Sequence, residues 1–199
     1  MAYSDFTLKK LKLDFNMRII ENQSIFTNTA ELAISEYLIK TLTRNVPLAL
    51  AINTEKARSE LIIINILLEV KEQLSNKISL FSGIDFNVDK DKGLTGFCDY
   101  ILSSSEEQLY LEAPVVTIVE AKNENIISGL GQCIAAMYAA QLFNQQSGYN
   151  FNYMYGAVTI GNEWRFIKLQ AMLAYIDNVV YYMNDIKKIV GILVAMASQ

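Results

Sequence analysis

The chain has 199 residues, 52% of them hydrophobic and 19% charged; 17 Lys and Arg stand against 21 Asp and Glu, a net charge of −4. There is no histidine, which excludes Ser-His-Asp and Cys-His nucleophilic sites, HExxH zinc binding and His-based phosphotransfer. Cys98 and Cys133 are too few for a zinc site or a disulfide framework and read as small core residues in a reducing compartment.

One domain over 1–199 is expected from the length, with a full core. The start lacks a leader-like apolar region, and the stretches Leu61 to Val70 and Ile189 to Met196 are too short to cross a bilayer. A soluble cytoplasmic protein without a membrane role is the expectation. Residues Leu11, Leu13, Phe15, Met17 and Ile19 alternate with polar ones, the period of a half-buried strand. A helix is predicted from Thr29 to Thr43. Thr54 opens a second helix as its cap, with Glu55 in the first turn where the dipole favours an acid, running to about Leu74. Strands are predicted over Ile78 to Val88, Thr95 to Ser103 and Pro114 to Lys122, the last so apolar that it should be buried on both faces. A helix from Ile126 to Asn144 follows, rich in small residues that permit close approach to a sheet. Two strands, Tyr155 to Ile160 and Trp164 to Leu169, flank the turn Gly161-Asn162. The last element is an amphipathic helix, Asp185 to Ala197, which either covers the sheet or serves a homodimer. The result is an α/β fold with a central mixed sheet flanked by helices. An N-terminal strand and helix arm occupies 1–53, a core 54–170 and a C-terminal helical extension 171–199.

Charge enters this apolar pattern at one place. Glu120 and Lys122 end the central strand and, two apart, share a face. Asp99 interrupts the apolar run of the strand before it. A hairpin centred near 108.5 pairs positions symmetric about 109.5 to within about one residue, so Asp99 and Glu120 should lie nearly opposite each other. Two adjacent carboxylates repel unless a proton or a cation lies between them. With oxygen ligands and no histidine, the natural cation is Mg²⁺, with Mn²⁺ as substitute.

Asp in GFCDY, followed by Glu-x-Lys in IVEAK, resembles the PD-(D/E)XK nuclease superfamily, and the string ARSEL, GFCDY, VEAKN, GQCIAAMYAAQ is similar to an uncharacterised bacterial family within it. The likeness covers about Thr54 to Leu169. It implies a restriction-endonuclease-like fold and a Mg²⁺-dependent phosphodiesterase acting on nucleic acid, DNA first. Asp99, Glu120 and the carbonyl of Ala121 would hold the metal, and Lys122 would orient the attacking water. Glu60 would stand for the glutamate many members carry on the preceding helix, and Gln132 for the glutamine on the following one. Lys90, Lys92, Arg165 and Lys168 are candidates for tracking a phosphate backbone. The acidic balance also permits a non-catalytic subunit on the same fold that binds nucleic acid or a protein.

Overall fold

A computed structural model describes residues 2–198, in which eight strands form one sheet between two helical layers. The chain runs α1 (Leu8–Asp14), β1 (Arg18–Gln23), α2 (Glu36–Ile52), α3 (Glu55–Arg58), a π turn (Ser59–Ile63), α4 (Ile64–Gln73), β2 (Ser79–Asp85), β3 (Phe97–Ser103), β4 (Val115–Ala121), α5 (Ile126–Gln146), β5 (Met154–Thr159), β6 (Glu163–Gln170), β7 (Leu173–Asp177), β8 (Tyr181–Tyr182) and α6 (Ile186–Ala197). The strand order is β1-β7-β6-β5-β4-β3-β2, with β8 beside β6. The pairs β1–β7 and β4–β5 are parallel and the others antiparallel, so the sheet is mixed.

All seven residues of β4 are buried, as its unbroken apolar run requires of a strand covered on both faces. Burial of each of its valine and isoleucine side chains stabilises by about 1.5–3 kcal/mol. On one face lies α5, with α1 and the N-terminal segment. On the other lie α2, α4 and α6. Asn144, near the end of α5, fastens that helix to the start of β4: its Oδ1 accepts from the Val115 amide at 2.8 Å and its Nδ2 donates to the Val115 carbonyl at 2.7 Å. By length and composition α5 is the one helix among the described residues able to cross a membrane, and its apolar surface is spent on the sheet. The inner face of α6 likewise covers the sheet layer through Ile189, Val190, Ile192, Leu193 and Met196.

Three expectations fail at the chain ends. The stretch from Leu11 is not a strand: Leu8–Asp14 is a helix capped by Thr7, whose Oγ1 accepts from the Lys10 amide at 3.2 Å, with Lys10 and Asp14 paired at 2.5 Å. Leu11 is fully buried while Leu13 is 73% exposed, so the alternating positions do not share one buried face. Strand structure begins at Arg18, as a sheet edge. The helix expected from Thr29 starts at Glu36, where Ser35 caps the Leu38 amide at 3.1 Å, and it runs past Pro47 to Ile52. Residues 171–199 are not purely helical: β7 adds to the sheet between β6 and β1, and β8 pairs with β6. The other strands and helices lie where the sequence places them, within a few residues.

Candidate functional site

The β3–β4 ladder pairs Tyr100 with Val119, and one more step of the same register sets Asp99 opposite Glu120. Here a side chain replaces the main chain: the Ala121 amide donates to Asp99 Oδ2 at 2.8 Å. Lys122 continues the pairing on the other side, its amide donating to the Thr159 carbonyl at 2.8 Å. Its ammonium reaches back along the face to Glu120 Oε1 at 2.5 Å. Three charged side chains are thus held by main-chain spacing at one corner of the sheet.

Glu120 is 1% exposed. Burial, with the adjacent Asp99 carboxylate, pushes its pKa up to about 8, against the pull of Lys122. Burial acts against the Lys122 ammonium as well, but the Glu120 and Asp99 carboxylates outweigh it and the lysine pKa is raised. The Cys98 and Cys133 thiols are buried beside this pair, and burial holds both well above the ordinary thiol range, as inert core residues.

The carboxylate pair opens on a cleft of about 290 Å³ lined by Glu55, Phe97, Asp99, Glu120, Lys122 and Gln132, with Ala2, Tyr3 and Ser4 along one wall. The lysine stem lies against α5 at Gly129, where a Cβ would stand 2.7 Å from Val158 Cγ1 and 3.0 Å from Lys122 Cγ. Two positions on, a Cβ at Gly131 would meet the Phe6 carbonyl oxygen at 2.3 Å, so this glycine admits the N-terminal segment that walls the cleft. The GLGQ stretch therefore lets α5 lie against both the lysine and the wall while presenting Gln132 to the opening.

Asp99, Glu120, Lys122 and Gln132 are brought together, with Ala121 buried between two of them. Glu60 is not among the cleft residues. It sits in a neighbouring recess that Asp99 also lines, with Ser82, Gly83 and Tyr100, is exposed, and pairs with Lys56 at 3.7 Å. The π turn, which includes Glu60, has its Ser59 carbonyl bonded by the Tyr100 hydroxyl at 3.1 Å and its Leu61 carbonyl by Asn45 and Asn65 at 3.0 and 3.1 Å. The helix carboxylate lining both the cleft and the recess is Glu55, one residue past the Thr54 cap. Its signal in the sequence was that cap, which accounts for the acid by the helix dipole alone and so hid the second role. The four basic candidates do not line the cleft. Lys92 pairs with Asp89 at 2.5 Å, Arg165 donates to the Asp177 carbonyl at 2.9 Å, Lys168 lies between the rings of Tyr153 and Tyr175, and Lys90 is on the exposed turn.

The donor set fits a hard, oxygen-liganded dication. It offers two facing carboxylates in a cleft whose other nearby acid is Glu55, and burial beside Asp99 raises the Glu120 pKa even with the Lys122 ammonium against it. No group of three or more His, Cys, Asp or Glu poised for a metal occurs among the described residues. A bound ion would therefore complete its shell with backbone, water and substrate oxygens. No protein-family model matches the chain, and a comparison with curated proteins finds no match.

Proposed function

We propose that the protein is a metal-dependent phosphodiesterase of the PD-(D/E)XK type, acting on nucleic acid, DNA first, on a restriction-endonuclease-like variant of its α/β fold. The observation that carries the reading is the facing of Asp99 and Glu120 across two strands with the Lys122 ammonium on Glu120. Support also comes from the order helix, three-strand meander, helix, parallel strand along α4, β2–β4, α5 and β5.

Asp99 and Glu120, with the Ala121 carbonyl, would hold Mg²⁺ or Mn²⁺, which supplies charge neutralisation at the phosphodiester and a more acidic attacking water. Lys122 orients that water and offsets negative charge as it grows on the phosphoryl oxygens. Its ammonium is pre-aimed, because Glu120 holds the head and Gly129 accommodates the stem. Gln132 stands at the mouth, where its amide can donate to a phosphate oxygen. Glu55, which lines the cleft with Asp99, would be a further acid for the metal's surroundings.

The test is incubation of plasmid and single-stranded DNA with the protein and Mg²⁺ or Mn²⁺, beside Lys122→Ala and Asp99→Ala. Metal-dependent cleavage by the wild type and its loss in both variants is the expected result. Equal behaviour of all three proteins overturns the assignment.

A further inference from the structure

The cleft has one residue that neither metal nor phosphate explains. Phe97 is the exposed member of the chain's 9 phenylalanines, 65% accessible, and it lines the cleft two residues before Asp99. Residues two apart on a strand share a face, so the ring stands on the same side as the carboxylate that would meet the phosphate. Among the described residues it has no ring partner, although rings elsewhere pair repeatedly. The wall beside it is fixed: the Tyr3 amide donates to the Thr95 carbonyl at 2.9 Å, and the Tyr3 hydroxyl donates to the Phe86 carbonyl at 2.7 Å.

We propose that Phe97 is a stacking platform for an unpaired base next to the scissile phosphate, so that the substrate is single-stranded DNA. This rests on the phosphodiesterase reading of the same cleft. The chemistry follows from the parts. Every base has a flat π face and stacks on an aromatic ring without regard to sequence. In a duplex that face is covered by neighbouring base pairs and becomes available only if the nucleotide is extruded. The four basic residues that might have followed a duplex backbone lie elsewhere or are engaged, and the net-acidic cleft offers Lys122 as its lining cation. Recognition therefore depends on stacking and on the metal, a combination suited to a flexible strand that can bring one phosphate to the carboxylates.

The experiment compares wild type, Phe97→Ala and Phe97→Trp. Binding of a fluorescein-labelled single strand, its duplex, and the same strand with one abasic residue is followed by anisotropy in Ca²⁺, and cleavage is followed in Mn²⁺. Single-strand binding by the wild type should exceed duplex binding. Phe97→Ala should weaken single-strand binding by roughly tenfold, the effect typical of one lost base–aromatic stack, with Phe97→Trp retaining it. An unchanged melting temperature separates this from misfolding. Wild-type cleavage with Phe97→Ala indistinguishable from it, or with duplex preferred to single strand, overturns this proposal and leaves the phosphodiesterase intact. Tight, Phe97-dependent single-strand binding without cleavage in Mn²⁺ overturns the phosphodiesterase reading and keeps the platform. Neither binding nor cleavage of any strand overturns both.

Discussion

Glu69 and Glu120 are both buried glutamates in the same helical–sheet framework, 3% and 1% exposed, yet their surroundings treat charge in opposite ways. Glu69 accepts from the Ser35 amide at 2.9 Å, the Ser35 hydroxyl at 2.5 Å and Gln73 at 3.1 Å. Burial raises its pKa, and those donors more than offset the rise, so the carboxylate is held below its ordinary value. Asp177, also fully buried, accepts hydrogen bonds from the Phe26 and Val179 amides and the Tyr181 hydroxyl. Glu120 has the Lys122 ammonium and a second carboxylate for company, and its pKa goes up. Where the fold uses a carboxylate to tie chain segments together, it supplies neutral donors. At the cleft it leaves the acid short of them, which is the electrostatic condition under which an added cation is welcome.

Substitutions can break this contrast in order of expected effect. Asp99→Asn and Glu120→Gln should lower metal-dependent cleavage by roughly 10²- to 10³-fold, the scale of losing a principal electrostatic contact, while leaving the melting temperature unchanged or higher. Asp177→Ala should do the reverse, costing roughly 2–4 kcal/mol in denaturant titration because buried donors lose their acceptor, with Mn²⁺ binding by calorimetry retained. Acidity sharpens the same point. Folded Glu120 keeps its proton up to about pH 8, whereas the unfolded chain releases it near 4.5. Between those values the folded state binds the extra proton, so stability falls as pH rises. Thermal melts from pH 5 to pH 9 should show a downward slope that Glu120→Gln flattens and that Mn²⁺ reverses at the alkaline end. Gly129→Ala forces Val158 and the Lys122 stem apart, and turnover should fall about tenfold for a fold loss of roughly 1–3 kcal/mol. Ser35→Ala removes the cap of α2 and a partner of Glu69, for about 1 kcal/mol, with no effect on cleavage.

The central corner was legible because it depends on arithmetic that side-chain packing does not alter. A β3–β4 hairpin with a loop near 104–113 sets 99 within two residues of 120, the irregularity between Leu102 and Ser103 brings the two into register, and the run PVVTIVEA leaves little choice but to bury the strand bearing Glu120. The flanks were less readable for identifiable reasons. Strand β7 follows a turn at Ala171, whose φ is 49°, so a left-handed position is occupied by a residue that gives no turn signal. The short β8 consists of two residues whose pairing is with Glu163 and Trp164, a contact no local pattern announces. In Leu8–Asp14, alternation imitated a strand because lysines at 9, 10 and 12 interleave with leucines, whereas Thr7 had already started a helix. At ARSEL the resemblance points to Glu60, and nothing in that string announces the π turn Ser59–Ile63 that interrupts the helix there.

That last irregularity has a mechanical side. A π turn is one residue more than an α-helix needs over the same path, so it sets the rotational phase between the helix before it and the helix after it. Deleting a single residue between Ser59 and Ile63 would let the helix close regularly and would swing Glu55 roughly a quarter of a turn or more about the axis, off the cleft. The sheet would still carry Asp99 and Glu120. Shortening the chain by one residue at this bulge thus separates the helix-borne acid from the strand-borne pair without altering any of the three side chains.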